Sequence, residues 1–166
     1  MKLSDYKKDF NGFFKQMTLG YLVRGDEVLM AMKKRGFGVG KWNGTGGKLQ
    51  PGETVEEAMI REAGEELDIK PTSFHKIAEI KFYFTYNPDF NEICHVFMID
   101  TWEGEPKESE EMAPKWFKIV DVPYREMWES DQIWLPKVME GKAIKAEFLF
   151  GEGDKVLDYK ILEPLG

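Results

Sequence analysis

Apolar positions along this chain of 166 residues fall mostly in short runs broken by turn residues. Thr18 to Val23 and Val28 to Met32 are two such runs, separated by Arg24-Gly25-Asp26-Glu27, and predict a hairpin. Ile77 to Thr85 and Ile93 to Trp102 predict two further strands joined around Asn87-Pro88-Asp89, and Trp116 to Val120 another. Ala146 to Phe150 and Lys155 to Leu162 alternate around Gly151-Glu152-Gly153 and predict a closing hairpin. Helical spacing appears twice. Pro51-Gly52 marks a turn, and Thr54 followed by Glu57 has the spacing of a capping box, so a helix is predicted from Thr54 or Val55 to Leu67. Pro123 to Met139 is mainly helical, interrupted at Pro136. Strands outnumber helices, which predicts an α/β fold: a mixed sheet with helices on both faces.

Three stretches escape this periodicity. Met1 to Gln16 is polar with Tyr6, Phe10, Phe13 and Phe14 interspersed, which fits a short helix or an arm packed on the domain. Lys33 to Lys48 is glycine-rich and basic and reads as a loop, either a connector or one that faces a phosphate or a base. Glu103 to Glu111 reads as an acidic loop.

Composition then narrows the class. The length suits one domain with a real core, and 42% hydrophobic with 32% charged residues is ordinary for a globular chain. No run is long enough to span a bilayer, and the N-terminus lacks the apolar segment of a secretory signal. Cys94 is the single cysteine, so no intrachain disulfide can form; a cytoplasmic location is expected. The net charge of −7 opposes stable binding of nucleic acid through its phosphates, but not a small phosphate-bearing substrate bridged by metal. His75 and His95 stand apart, without metal-ligand spacing, and read as structural.

The chemistry concentrates in the predicted helix. Glu62, Glu65 and Glu66 stand at i, i+3 and i+4 and share one face. Three adjacent carboxylates repel one another unless a cation neutralises them, and hard oxygen ligands suit Mg²⁺ or Mn²⁺. A solvated acidic face is the plainer account. Against it stand Glu53 in the turn before the helix, Arg61 among the acids, and Gly44, Gly46 and Gly47, which let backbone approach a ligand.

This stretch resembles the Nudix box, in which Gly, Glu and Arg-Glu-apolar-x-Glu-Glu recur at fixed spacing. Gly47, Glu53, Arg61, Glu62, Ala63, Glu65, Glu66 and Ile69 occupy those positions. The box's last glycine is Asp68 here, at a helix end where Asp is tolerated in the left-handed conformation, so a small stability cost is expected. Beyond the box, MKKRGFGVGKWNGTGGK, ESEEMAPKWF, MWESDQIWLP and FLFGEGDKVLDYKI resemble the oxidised purine nucleoside triphosphate hydrolases, the 8-oxo-dGTP diphosphatase branch. The resemblance runs from about Met17 onward, so residues 1–16 are an extension and 17–166 a single domain.

The resemblance implies an α/β/α sandwich with a mixed central sheet. It implies hydrolysis of modified purine nucleoside triphosphates to the monophosphate and pyrophosphate. It carries a Mg²⁺ site onto the Gly46 carbonyl, Glu62, Glu65, Glu66 and Glu111, with Arg61 among the catalytic groups. It carries a base pocket onto Thr18, Lys33, Phe37, Asn43, Phe82, Phe84, Trp128 and Asp131, beside Gly46, Gly47 and Lys48. The branch pairs two aspartates against the purine edge, and the first is Ser130 here. Without a charged neighbour Asp131 is expected to be simply ionised, which would keep guanine-type substrates and narrow the tolerance for oxidised adenines. The expected partner is therefore a small nucleotide, with no membrane or stable nucleic-acid complex, on a monomeric chain. The alternatives are a hydrolase of another nucleoside diphosphate linkage (a nucleotide sugar, a dinucleoside polyphosphate or an RNA 5′ end) and a non-catalytic nucleotide sensor.

Overall fold

A computed structural model describes residues 1–165; Gly166, the last residue of the expected domain, lies outside the described residues. The elements run α1 (Leu3–Asp9), β1 (Lys15–Arg24), β2 (Glu27–Lys33), β3 (Trp42–Asn43), β4 (Thr45–Lys48), α2 (Val55–Leu67), β5 (Lys70–Phe84), β6 (Glu92–Glu103), β7 (Met112–Lys118), α3 (Asp131–Met139), β8 (Ile144–Phe150) and β9 (Val156–Leu162). The nine strands form a mixed sheet in the order β3-β2-β1-β6-β5-β8-β9, with β4 on β1 and β7 on β2. The pairs β1/β6 and β5/β8 are parallel, the others antiparallel.

The predicted first hairpin is present but short. Only Val23↔Val28 and Arg24↔Glu27 pair before the strands part, β1 taking β4 and β6 while β2 takes β3 and β7. The cleft described below opens between these diverging arms. Alternation along the strands fills both sheet faces. Met59, Ala63 and Leu67 of α2 pack with Leu22, Phe97 and Ile99 on one face. Trp134, Leu135 and Val138 of α3 pack with Tyr21, Ile80 and Phe148 on the other. The expected sandwich is thus observed.

Four boundaries differ from the sequence reading. Lys33 to Lys48 carries the short strands β3 and β4, which owe their place to main-chain pairing rather than to side-chain alternation. β5 begins at Lys70, because its exposed, polar first half still pairs with β6. The strand expected at Trp116 already starts at Met112, and Ile119–Asp121 is a 3₁₀ turn. Of Pro123 to Met139 only α3 is α-helical; extended Met127 separates it from a 3₁₀ turn at Tyr124–Glu126.

The N-terminal segment is a helix packed on the domain. Leu3, Tyr6, Phe10 and Phe14 surround Tyr83 and Leu149, and Lys7 donates to Glu147 at 2.8 Å. Lys15 and Gln16 already belong to β1, paired with Glu92 and Ile93. Among the described residues no helix is long and apolar enough to cross a membrane.

Candidate active site

The helix α2 starts as its sequence predicts. Thr54 Oγ1 accepts from Glu57 N at 3.1 Å, and Glu57 Oε1 accepts from Thr54 N at 3.2 Å, so two orphan amides are satisfied reciprocally. It ends at Asp68, left-handed at φ 57° and ψ 43°, whose N–H donates to Gly64 O. Between these caps, Arg61 gathers the acids. Its Nε donates to Glu53 Oε2 at 2.6 Å, one terminal nitrogen reaches Glu62 Oε1 at 2.9 Å and Glu65 Oε2 at 3.2 Å, and the other reaches the Lys48 carbonyl at 3.0 Å. Arg61 and the Gln50 amide together hold Glu53 below the usual carboxylate range.

Two of the helix acids, Glu62 and Glu66, turn inward. A Cβ on Gly47 would lie 2.6 Å from Glu62 Oε1, so only glycine lets this carboxylate rest against the β4 backbone. Burial raises the Glu62 carboxyl, and Glu65 and Glu111 add to it while Arg61 opposes. Glu66 is buried, and its Oε1 accepts from Thr45 Oγ1 at 2.5 Å and from Gly46 N at 2.8 Å. Burial pushes Glu66 up to about 7 despite these two donors. Among the described residues no three acidic, histidine or cysteine side chains already converge as a metal-ligand set, because each carboxylate rests on the donors within its reach. The donor chemistry nonetheless fits a hard divalent cation: oxygen ligands only, a glycine approach, and carboxyls held above their ordinary range by one another and by burial.

From Gly46 and Gly47, beside this acidic end, a cleft partly open to solvent runs between the arms of the sheet. Phe82 and Phe84 form part of its floor, stacked on Phe150 with centroids 5.8 and 5.2 Å apart. Trp128 and Phe37 face each other at 5.2 Å on its rim, with Lys41 Nζ 5.1 Å from the Trp128 ring. Asn43 lies inside; its Oδ1 accepts from Gly44 N at 2.9 Å and Tyr21 Oη at 3.2 Å. That fixes the amide, so Asn43 offers the cleft its NH₂ donors and not both of its functions. Asp131 opens α3 and is buried. Its Oδ1 accepts from Trp134 Nε1 at 3.0 Å, while Oδ2 has no partner among the described residues. A buried oxygen left unsatisfied in a cleft marks where a donor is to be received.

The Nudix domain family matches residues 15–138, most of the chain. This chain belongs to the Nudix family. Among its relatives, the zebrafish (Danio rerio) oxidized purine nucleoside triphosphate hydrolase is 44% identical over 149 residues, 90% of this chain and 95% of that protein. The mouse (Mus musculus) protein of the same name is 40% identical over 146 residues, 88% of this chain and 93% of its own. Among solved structures, a MutT protein from Bacillus halodurans matches with a TM-score of 0.79 at 25% identity, covering 91% of this chain and all of that one. Members of the family act as hydrolases with a divalent metal.

The Nudix chain brings most of the expected residues together. Thr18, Lys33, Phe37, Asn43, Gly46, Gly47, Phe82, Phe84, Trp128, Ser130 and Asp131 all line the cleft. Lys48 does not; its carbonyl anchors Arg61 instead. Glu111 acts electrostatically on Glu62 but is itself paired with Arg35 at 3.4 Å, where the basic loop clasps the acidic one. Ser130 is buried at the start of α3 and makes no capping bond. The expectation that Asp131 is simply ionised is not met: burial raises it to about 7, against the Trp134 hydrogen bond and the positive charge of Lys41. Sequence reasoning missed Glu92 and Lys41, which also line the cleft. Lys41 sat in a basic loop with no residue to single it out. Glu92 fell just before the strand expected from Ile93, and only alternation with Cys94 hinted at its face.

Proposed function

We propose that this Nudix chain hydrolyses modified purine nucleoside triphosphates such as 8-oxo-dGTP to the monophosphate and pyrophosphate. One observation carries the reading: a buried acceptor, Asp131 Oδ2, shares an aromatic-lined cleft with Gly46 and Gly47, which rest against Glu66 and Glu62 of the Nudix helix. A base stacked on Trp128, worth roughly 1–3 kcal/mol, with its N1 edge at Asp131, directs its phosphates to Gly46, Gly47 and α2. The names of the zebrafish and mouse relatives agree with this substrate class.

Glu62, Glu65, Glu66 and the Gly46 carbonyl, with Glu111 reachable from its loop, are the groups that would hold Mg²⁺. When bound, such an ion polarises a phosphoryl oxygen and makes an attacking water more acidic. Glu65 and Glu66 are the carboxylates able to take that water's proton, and single Gln substitutions separate their roles. Arg61 keeps Glu62 and Glu65 in place and holds β4 to the helix through the Lys48 carbonyl. Lys33, on the cleft wall, balances charge beside Glu66.

Asp131 can work in both protonation states near pH 7. Ionised, it accepts from the N1–H and exocyclic amine of a guanine-type edge; protonated, it donates to the N1 of an adenine-type edge. The test is release of pyrophosphate and nucleotide products with Mg²⁺ from dGTP, 8-oxo-dGTP, 2-oxo-dATP, O6-methyl-dGTP, ADP-ribose and a diadenosine polyphosphate. A strong preference for a modified purine triphosphate is expected. Activity confined to the last two compounds would leave the family and discard the base assignment.

A further inference from the structure

Glu92 is a second carboxyl of the cleft, brought there from a different element than Asp131. It opens β6, two residues before Cys94 and on the same face. Its Cα partners are Phe82 on β5, part of the cleft floor, and Lys15 on β1. Burial pushes its carboxyl up to about 7, against the positive charge of Lys15 and Lys48, and no described residue hydrogen-bonds to it. Asp131, on α3, is the cleft's other carboxyl, with Oδ2 free of any partner among the described residues. Cys94 lines the same cleft, and its thiol, raised chiefly by burial, is raised further by the charges of both. The cleft is thus lined by two carboxyls from different elements, Glu92 and Asp131.

A planar base lying on Phe82 and Phe84 therefore has a carboxyl toward each of two edges. The N1 and N7 edges of a purine, which flank its C6 substituent, differ in what oxidation does to them. In an unmodified purine N7 only accepts. Oxidation at C8 to the 8-oxo form places a hydrogen on N7, so the same atom donates. A carboxylate facing N7 repels the lone pair of the ordinary base and accepts the N–H of the oxidised one.

On the reading above that a modified purine occupies the cleft, the geometry points to Glu92 as a specificity-determining residue: its carboxylate accepts the N7–H that marks an 8-oxo-purine, while Asp131 holds the N1 edge. Lys15 and Lys48 supply the neighbouring positive charge.

The test uses the full chain and its substitutions Glu92→Gln and Glu92→Met. Calorimetry measures binding of 8-oxo-dGMP and dGMP, and steady-state rates are followed on the two triphosphates. Loss of one charge-assisted hydrogen bond predicts about tenfold weaker binding of 8-oxo-dGMP to both variants. Affinity for dGMP stays the same or rises, so selectivity falls through KM while kcat holds. The wild-type protein provides a check free of any folding defect: 8-oxo-dGMP methylated at N7 should bind about tenfold more weakly than 8-oxo-dGMP, having lost the same donor. If both variants bind the two monophosphates as the wild type does, or lose both equally, the assignment of Glu92 is overturned while the substrate class stands. A wild-type protein that binds no purine monophosphate and cleaves no purine triphosphate overturns the assignment together with the reading beneath it.

Discussion

The two ends of the cleft use the same chemical group in opposite surroundings. At the α2 end, carboxylates crowd along one helical face, and Arg61 binds two of them, Glu62 and Glu65, together with Glu53 of the preceding turn. At the α3 end a single aspartate lies beneath aromatic rings, with one oxygen on an indole N–H and the other empty. Glu66 and Asp131 are nonetheless both pushed up to about 7, and burial is the largest cause for each. Crowding is therefore not what raises a carboxyl most in this protein; removal from water is. The consequence differs with what each carboxyl faces. One end faces phosphates and a cation, where a carboxylate serves as ligand or base. The other faces a base edge, where a carboxyl that exchanges its proton near neutrality can accept or donate.

The comparison breaks most readily at Glu66. Glu66→Gln keeps the shape and removes the charge, and should lower kcat by at least about a hundredfold in pyrophosphate release with Mg²⁺. A near-normal rate would mean that the acidic end is not the metal site. At the other end Trp128→Ala should raise KM by roughly tenfold, the loss of one base-stacking surface, with little change in kcat. An equal fall in kcat would place Trp128 in the chemistry instead.

Asp131 sharpens the contrast through pH. Its folded-state value is raised from 3.8 to about 7. The stability it contributes is fully present below its unfolded value and is lost as pH rises through the folded one, because an ionised carboxylate is then buried. The gain in Tm from Asp131→Asn should accordingly be larger at about pH 8 than at about pH 5. In the wild-type protein, kcat/KM for 8-oxo-dATP relative to 8-oxo-dGTP should rise as pH falls through about 7. A ratio that stays flat over that range would show that proton exchange at Asp131 does not choose the base. The smallest effect belongs to the helix end outside the cleft. Asp68→Gly relieves a left-handed residue and should stabilise by roughly 0.5–1 kcal/mol in thermal unfolding, with activity unchanged.

The acidic end was legible in the sequence because it is local. Thr54 and Glu57, Arg61 and Glu53, and the i, i+3, i+4 acids are related by helical geometry alone, so spacing suffices to predict the cap and the shared face. The major strands were legible for a similar reason: alternation and turn residues act within a few positions. Much of the base pocket became legible only by resemblance, since Thr18, Asn43 and Phe82 lie on separate strands and Trp128 on the segment before α3, with no spacing to betray them. Three things were left to the tertiary structure. Whether Asn43 donates or accepts was decided by Gly44 and Tyr21, which occupy its oxygen. The state of Asp131 was decided by burial, which no neighbouring residue in the sequence reports. Glu92 entered the cleft because β6 lies between β1 and β5, a pairing between distant stretches that single-strand patterns do not encode. Short-range geometry determined the helix and its carboxylates; desolvation and strand order, which depend on the whole chain, determined what the pocket can recognise.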